Sequence, residues 1–187
     1  MSKRLRLVGP IKFLFLYLII FAFVGCGYTT RSSIYPAGTT IAIMPFLNKI
    51  NIADERSEYR RLVNYFPLLE TKVTNAVVDR FLMDGNLKVS RLENTDLILE
   101  GEILRYKRDA LQYTDNNEDV TEYRVTLFSN ITLKDKANDK VVFQENNFAG
   151  EATYYTQGSL AKSETVAVED AVSDLARRIV ERVVEAW

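Results

Sequence analysis

The sequence predicts an α+β fold, a two-layer sandwich with two helices packed on one face of a mostly antiparallel sheet of about four to five strands. Three observations carry this expectation. Two segments, one near residue 70 and one at the C-terminus, repeat apolar residues at the helical period. Between them, three long segments alternate at the strand period. With 47% apolar and 26% charged residues, the 187-residue chain has the composition of a folded domain able to bury one core.

Taken in order, Thr39 to Phe46 alternates loosely and reads as a first strand, with Pro45 near its end placing it at a sheet edge. Asn48 to Tyr65 is polar and charged and reads as a loop with a solvated face. Pro67 suits the first position of a helix running to Asp84, since Leu69, Val73, Ala76, Val77, Arg80 and Phe81 fall on one stripe and Gly85 closes it. A short strand is expected around Leu87 and Val89. From Asp96 to Arg108, Leu97, Leu99, Gly101 and Ile103 make one face, while Ile98, Glu100, Glu102, Leu104, Tyr106 and Arg108 make the other. The Asp115 to Asp119 cluster reads as a hairpin turn. Tyr123, Val125, Leu127, Ile131 and Leu133 then alternate with polar residues, Ser129 interrupting the apolar side. A turn over Lys134 to Lys140 leads into a further strand from Val141 to about Ala152, completing an antiparallel meander. Finally, Val168, Val172, Leu175, Ala176, Ile179, Val183 and Trp187 form the stripe of an amphipathic C-terminal helix, whose opposite face mixes both charge signs and therefore suits core packing over lipid binding.

Composition excludes several classes of function. With 24 Lys+Arg against 25 Asp+Glu, the chain lacks the basic field of a nucleic-acid binder. It contains no histidine and one cysteine, which removes histidine acid–base chemistry, Ser-His and Cys-His nucleophile pairs, Cys/His metal sites and an intrachain disulfide. No catalytic residue, metal site or cofactor is expected apart from a covalent lipid.

Lys3, Arg4, Arg6 and Lys12 precede a run of 12 apolar residues, Phe13 to Val24. As a helix that run would be roughly 18 Å long, against a ~30 Å bilayer core, so it reads as the apolar region of a signal peptide. Phe23-Val24-Gly25-Cys26 resembles the lipobox of bacterial lipoproteins, which implies cleavage between Gly25 and Cys26 and acylation of Cys26. Phe23 departs from the usual leucine. Gly27, where an aspartate would retain the protein at the inner membrane, implies outer-membrane sorting. The expected organisation is therefore a signal peptide over 1–25, a lipidated tether over 26–38 and a single periplasm-facing domain over 39–187. A tether of twelve residues after Cys26 reaches at most roughly 40 Å.

The arrangement resembles the LptE-type lipopolysaccharide-assembly lipoproteins of the Gram-negative outer membrane. The likeness rests on Cys26-Gly27-Tyr28, on Thr40-Ile41-Ala42-Ile43 leading to Pro45-Phe46-Leu47-Asn48, and on Asn94 through Ile103. It continues through Val120 to Val125, Tyr154-Tyr155, and Leu175-Ala176-Arg177-Arg178-Ile179-Val180. The charged stretch between Asn48 and Pro67 is longer than the family's usual link. The resemblance implies a non-enzymatic outer-membrane protein seated in the lumen of a large LptD-type β-barrel, assisting its assembly and the delivery of lipopolysaccharide. Polar residues on the mixed strand faces suit a hydrophilic lumen.

Two other classes remain open from the residues. One is a lipoprotein activator or accessory subunit of a peptidoglycan synthase or secretion pore, which would favour a longer tether. The other is a lipid-anchored enzyme, for which Glu100 and Glu102 offer two carboxylates on one strand face. A lipopolysaccharide contact should join cations for phosphate with an apolar neighbour. Arg105, Lys107 and Arg108 around Tyr106 are the candidates, ahead of Lys134, Lys136 and Lys140, because arginine grips phosphate bidentately. In a meander these two basic groups fall at opposite ends of the sheet.

Overall fold

Six strands form one sheet and two α-helices lie on one of its faces in the computed structural model, which describes residues 34–51, 67–116 and 118–185. The strands are β1 (Thr40–Ile43), β2 (Leu47–Asn48), β3 (Lys88–Val89), β4 (Leu97–Tyr113), β5 (Val120–Asp135) and β6 (Lys140–Tyr155). The helices are α1 (Leu69–Asp84) and α2 (Glu164–Glu185), with a 3₁₀ turn at Leu92–Asn94. The signal segment, Gly25 and Cys26, most of the tether, the charged residues 52–66 and Trp187 lie outside the described residues.

The sheet order is β3-β1-β4-β5-β6, with β2 pairing farther along β4. The long ladders, β4 with β5 and β5 with β6, are antiparallel as expected, whereas β1 runs parallel to both β3 and β4. Two expectations change here. The strand expected over Thr39 to Phe46 ends at Ile43, and a separate two-residue strand, β2, begins at Leu47 after Pro45, which lies where no ladder N–H is required. Consequently the sheet has six strands, and β1 sits inside it between β3 and β4, not at an edge. Thr40 clasps β1 to the head of β4: its N–H and hydroxyl donate to Asp96 Oδ2 at 2.8 and 2.7 Å. Those two bonds hold the Asp96 carboxyl below its ordinary range.

Helix α1 begins at Leu69, two residues later than expected, since Leu68 adopts a left-handed conformation (φ 58°) that interrupts the helical path from Pro67. It ends as expected at Gly85, whose φ of 71° lets its N–H bond to the Phe81 carbonyl at 3.1 Å. Leu69, Val73, Val77 and Phe81 are buried on its stripe. In α2 the whole expected stripe from Val168 to Val183 is buried, together with Ala167, Ala171, Val180 and Val184. These two faces close on Ile41, Leu99, Ile103, Val125, Leu127, Ile131 and Leu133 of the sheet. Ser129, the expected interruption of that face, is fully buried and donates its hydroxyl to the Phe148 carbonyl at 3.2 Å.

Helix α2 lies tightly against β6 because Gly150 has no side chain. A Cβ there would fall 2.4 Å from Leu175 Cβ and 2.6 Å from the Ala171 carbonyl oxygen. The helix also bonds the strand's backbone. Arg178 donates to the Ala149 carbonyl, and the Glu151 N–H donates to Asp174 Oδ2 at 3.0 Å.

Candidate functional site: the open face of the sheet

Because strand side chains alternate, the face away from the helices collects the residues between the core positions. On β4 these are Glu100 and Glu102, and on β5 they are Arg124, Thr126, Phe128, Asn130, Thr132 and Lys134. The sequence assigned Tyr106 and Arg108 to this same face. The structure places them on the other, because a register shift between Ile103 and Arg105 inserts one extra residue and reverses the alternation. Tyr106 is 4% exposed and belongs to the core, while Arg105 pairs across to Phe128 and Lys107 to Thr126 on the open face.

Alternation divides the four residues considered for lipopolysaccharide contact, and the shift sets which pair meets the helices. Arg105 lies over the Phe128 ring, its guanidinium carbon 4.2 Å from the centroid. Lys107 pairs with Asp109 at 2.7 Å on an exposed stretch of β4. On the helix side, Tyr106 Oη donates to Glu164 Oε1 at 2.7 Å and Arg108 Nη1 donates to Glu164 Oε2 at 3.0 Å. Arg108 also covers the Tyr123 ring at 4.3 Å, and Tyr123 stacks on Tyr154 with centroids 5.5 Å apart. Burial first, and then the Glu164 carboxylate, push the Tyr106 hydroxyl far above its ordinary value, and burial raises Tyr154 as well. Both phenols stay protonated and act as hydrogen-bond donors. This cluster joins the middle of β4 and the end of β6 to the first turn of α2. Glu164 was not singled out in the sequence, where it reads as one more acid at a helix start.

Two of the three lysines named at the β5–β6 end are engaged elsewhere. Lys134 pairs with Glu100 at 2.7 Å, and Lys136 Nζ donates to the Leu92 and Glu93 carbonyls, closing the 3₁₀ turn. Lys134 stands opposite Ile98 and Val125 opposite Arg108, nine residues apart along β5 or roughly 30 Å, so the two basic groups do lie far apart on the sheet.

Below Arg105, the open face holds a solvent-open hollow of about 610 Å³. Its floor is Glu100, Glu102, Asn130, Thr132 and Gln144, and Pro45 and Leu47 form one wall. Glu100 and Glu102 share a face as the sequence indicated, but Glu100 is already tied to Lys134. Carboxylates, amides and a hydroxyl there make a hydrogen-bonding surface, and one of its two carboxylates, Glu100, is paired within the sheet. Arg124 with Glu151 at 3.8 Å extends the pattern upward. Among the described residues, no group of three or more acids or cysteines is arranged to hold a metal, and no helix is long and apolar enough to cross a membrane.

No curated protein matches the chain at a significant level. Among solved structures, hypothetical protein CT253 from Chlamydia trachomatis is similar at 16% identity, with a TM-score of 0.52, over 79% of this chain and 96% of that one. Protein XCC0632 from Xanthomonas campestris is similar at 12% identity, with a TM-score of 0.52, over 82% and 89%. These likenesses speak to the fold. Rare lipoprotein B from Shewanella oneidensis is more remote, at 10% identity and a TM-score of 0.36 over 74% and 89%. Residues 47–185, from β2 to the end of α2, match the sequence profile of LptE, described as lipopolysaccharide-assembly. That match spans about three quarters of the sequence and includes every element that builds the open face, so the chain belongs to the LptE lipopolysaccharide-assembly family.

Proposed function

We propose that this protein is a lipid-anchored, non-enzymatic subunit of the outer membrane that sits in the lumen of a large LptD-type β-barrel and assists both its assembly and the delivery of lipopolysaccharide. The observation that carries this reading is the open face itself. It is a long, rigid sheet surface of paired charges, amides and hydroxyls, the chemistry needed against the polar inside of a barrel. Acylation of Cys26 after cleavage at Gly25 supplies the anchor on the periplasmic side, with multiple acyl chains giving stable attachment. The test is extraction of outer membranes in mild detergent, purification of the full-length product and mass spectrometry of its N-terminus. A large barrel in stoichiometric amount and a lipidated Cys26 are expected. A clean monomer without a barrel overturns the plug, and an intact Met1 or unmodified Cys26 overturns the anchor.

Within this reading the glycolipid contact moves with the bulge. Arg105 and Lys107 supply cations for phosphate, and Phe128 takes the place considered for Tyr106 as the apolar neighbour. Replacing Arg105 and Lys107 with Gln is expected to weaken lipopolysaccharide binding by about tenfold, at ~0.7 kcal/mol per exposed cation, and to flatten its salt dependence while leaving the melting temperature unchanged. A binding titration at two salt concentrations checks this. Unchanged affinity and salt slope remove the patch as the site.

A further inference from the structure

We propose that the far end of the β4–β5–β6 meander is a docking tongue for a protein partner that presents an apolar recess rimmed by cations. Past Arg108, Val125 and Ala152 the three strands continue beyond the helices, since α2 starts only at Glu164. Tyr154 is the one buried side chain among the described residues of this extension.

The extension is nevertheless built to a fixed shape. The Thr114 N–H bonds to the Asp119 carbonyl at 2.8 Å across the turn, and the Thr156 N–H bonds to the Thr121 carbonyl at 3.0 Å. The Lys162 N–H bonds to the Tyr155 carbonyl at 3.1 Å, tying down the approach to α2. On this frame Leu111, Tyr113, Tyr155 and Leu160 are 38%, 53%, 36% and 74% exposed. A pre-ordered surface with exposed aromatic and aliphatic side chains loses little freedom on docking.

Charge selects the partner. From Asp109 to Tyr123 the chain carries five carboxylates and no Lys or Arg. The nearest cations are already matched: Lys107 by Asp109, itself one of the five, Arg108 by Glu164, Arg124 by Glu151 and Lys162 by Asp170. The tongue thus presents exposed apolar side chains in a negative field, which repels phosphate-bearing lipid and glycolipid and complements a cationic protein surface. Its position agrees. The described chain enters at the other end of α2, where the Ile34 N–H bonds to the Val184 carbonyl, 20 residues or about 30 Å from Glu164. The tongue therefore lies at the end of the fold remote from Ile34, whatever protein receives it.

The test places the photo-crosslinking residue p-benzoylphenylalanine at Tyr113, at Leu160 and, as a control, at the exposed Met83 of α1 in the full chain within its own cell envelope. The expected result is one and the same protein adduct from positions 113 and 160, absent from 83, with Lys or Arg in the crosslinked peptide. Its yield should fall at least fivefold in raised salt and again in the Asp115→Asn, Glu118→Gln, Asp119→Asn variant. Salt titration of the chain carrying all three acids keeps the test decisive even where that variant folds poorly. Adducts with lipid, glycolipid or a second copy of this chain overturn the proposal, as do a salt-insensitive protein adduct or no adduct. Failure here with the barrel still co-purifying would refute the tongue alone, and an adduct to a cationic protein other than a barrel would support the tongue and count against the plug.

Discussion

Leu175→Ala is expected to lower the stability of the domain by about 2–5 kcal/mol, a fall in melting temperature of roughly 5–15 °C for a domain of this size. Leu175 has no exposed surface and its Cβ is one of the atoms facing Gly150 across the helix–sheet seam. Shortening it opens a cavity that the seam resists closing, because Arg178 and Asp174 pin α2 to the β6 backbone on either side of that glycine. Thermal unfolding of the full-length protein, followed by circular dichroism, measures the effect. An unchanged melting temperature would mean that the stripe serves a partner's surface and not this core.

Glu164→Ala should cost about 3 kcal/mol for a different reason. The carboxylate accepts hydrogen bonds from Tyr106 and Arg108, and its loss leaves a core phenol without this acceptor and a half-buried guanidinium without this counter-charge. Tyr106→Phe removes the hydroxyl as well as its need for a partner and should cost only about 1 kcal/mol. Denaturant titration of both variants separates the two cases. Equal losses in both would show that the Arg108 pair contributes nothing.

The contrast between these sites shows what the sequence makes legible. The α2 stripe is an unbroken 3.6-residue repeat over five turns, so its buried face, Leu175 included, follows from spacing alone. The strand faces of β5 follow as readily from a period of two, with Ser129 correctly kept on the buried side. Tyr106 does not follow. One extra residue after Ile103 swaps the faces of everything beyond it, and the only trace in the sequence is that the apolar side moves from odd to even positions near Leu104. That single shift turns Tyr106 and Arg108 to the helix side and Arg105 and Lys107 to the open face, and so relocates the candidate glycolipid contact to Phe128. Strand β2 leaves no periodic signal in two residues, and the interior position of β1 depends on β3, which is just as short. Gly150 did carry a signal, since a glycine inside a strand marks a close approach, but which element approaches is decided by the tertiary fold.

The bonds from α2 to β6 have a consequence for the company this sheet keeps. An edge strand of 16 residues offers its free backbone groups as a template on which any extended chain can lay another strand. Along β6 that template is interrupted. Arg178 occupies the Ala149 carbonyl and Asp174 the Glu151 N–H, while Asn147, with φ at 54°, bends the backbone out of the extended path just before them. A foreign strand aligning from Lys140 would lose its register at Asn147 and then collide with a helix. The middle of the edge is thereby closed to strand addition, so that growth of sheets from molecule to molecule, the usual route from an exposed edge to aggregation, is blocked by two side chains of a helix whose sequence reads only as a core element.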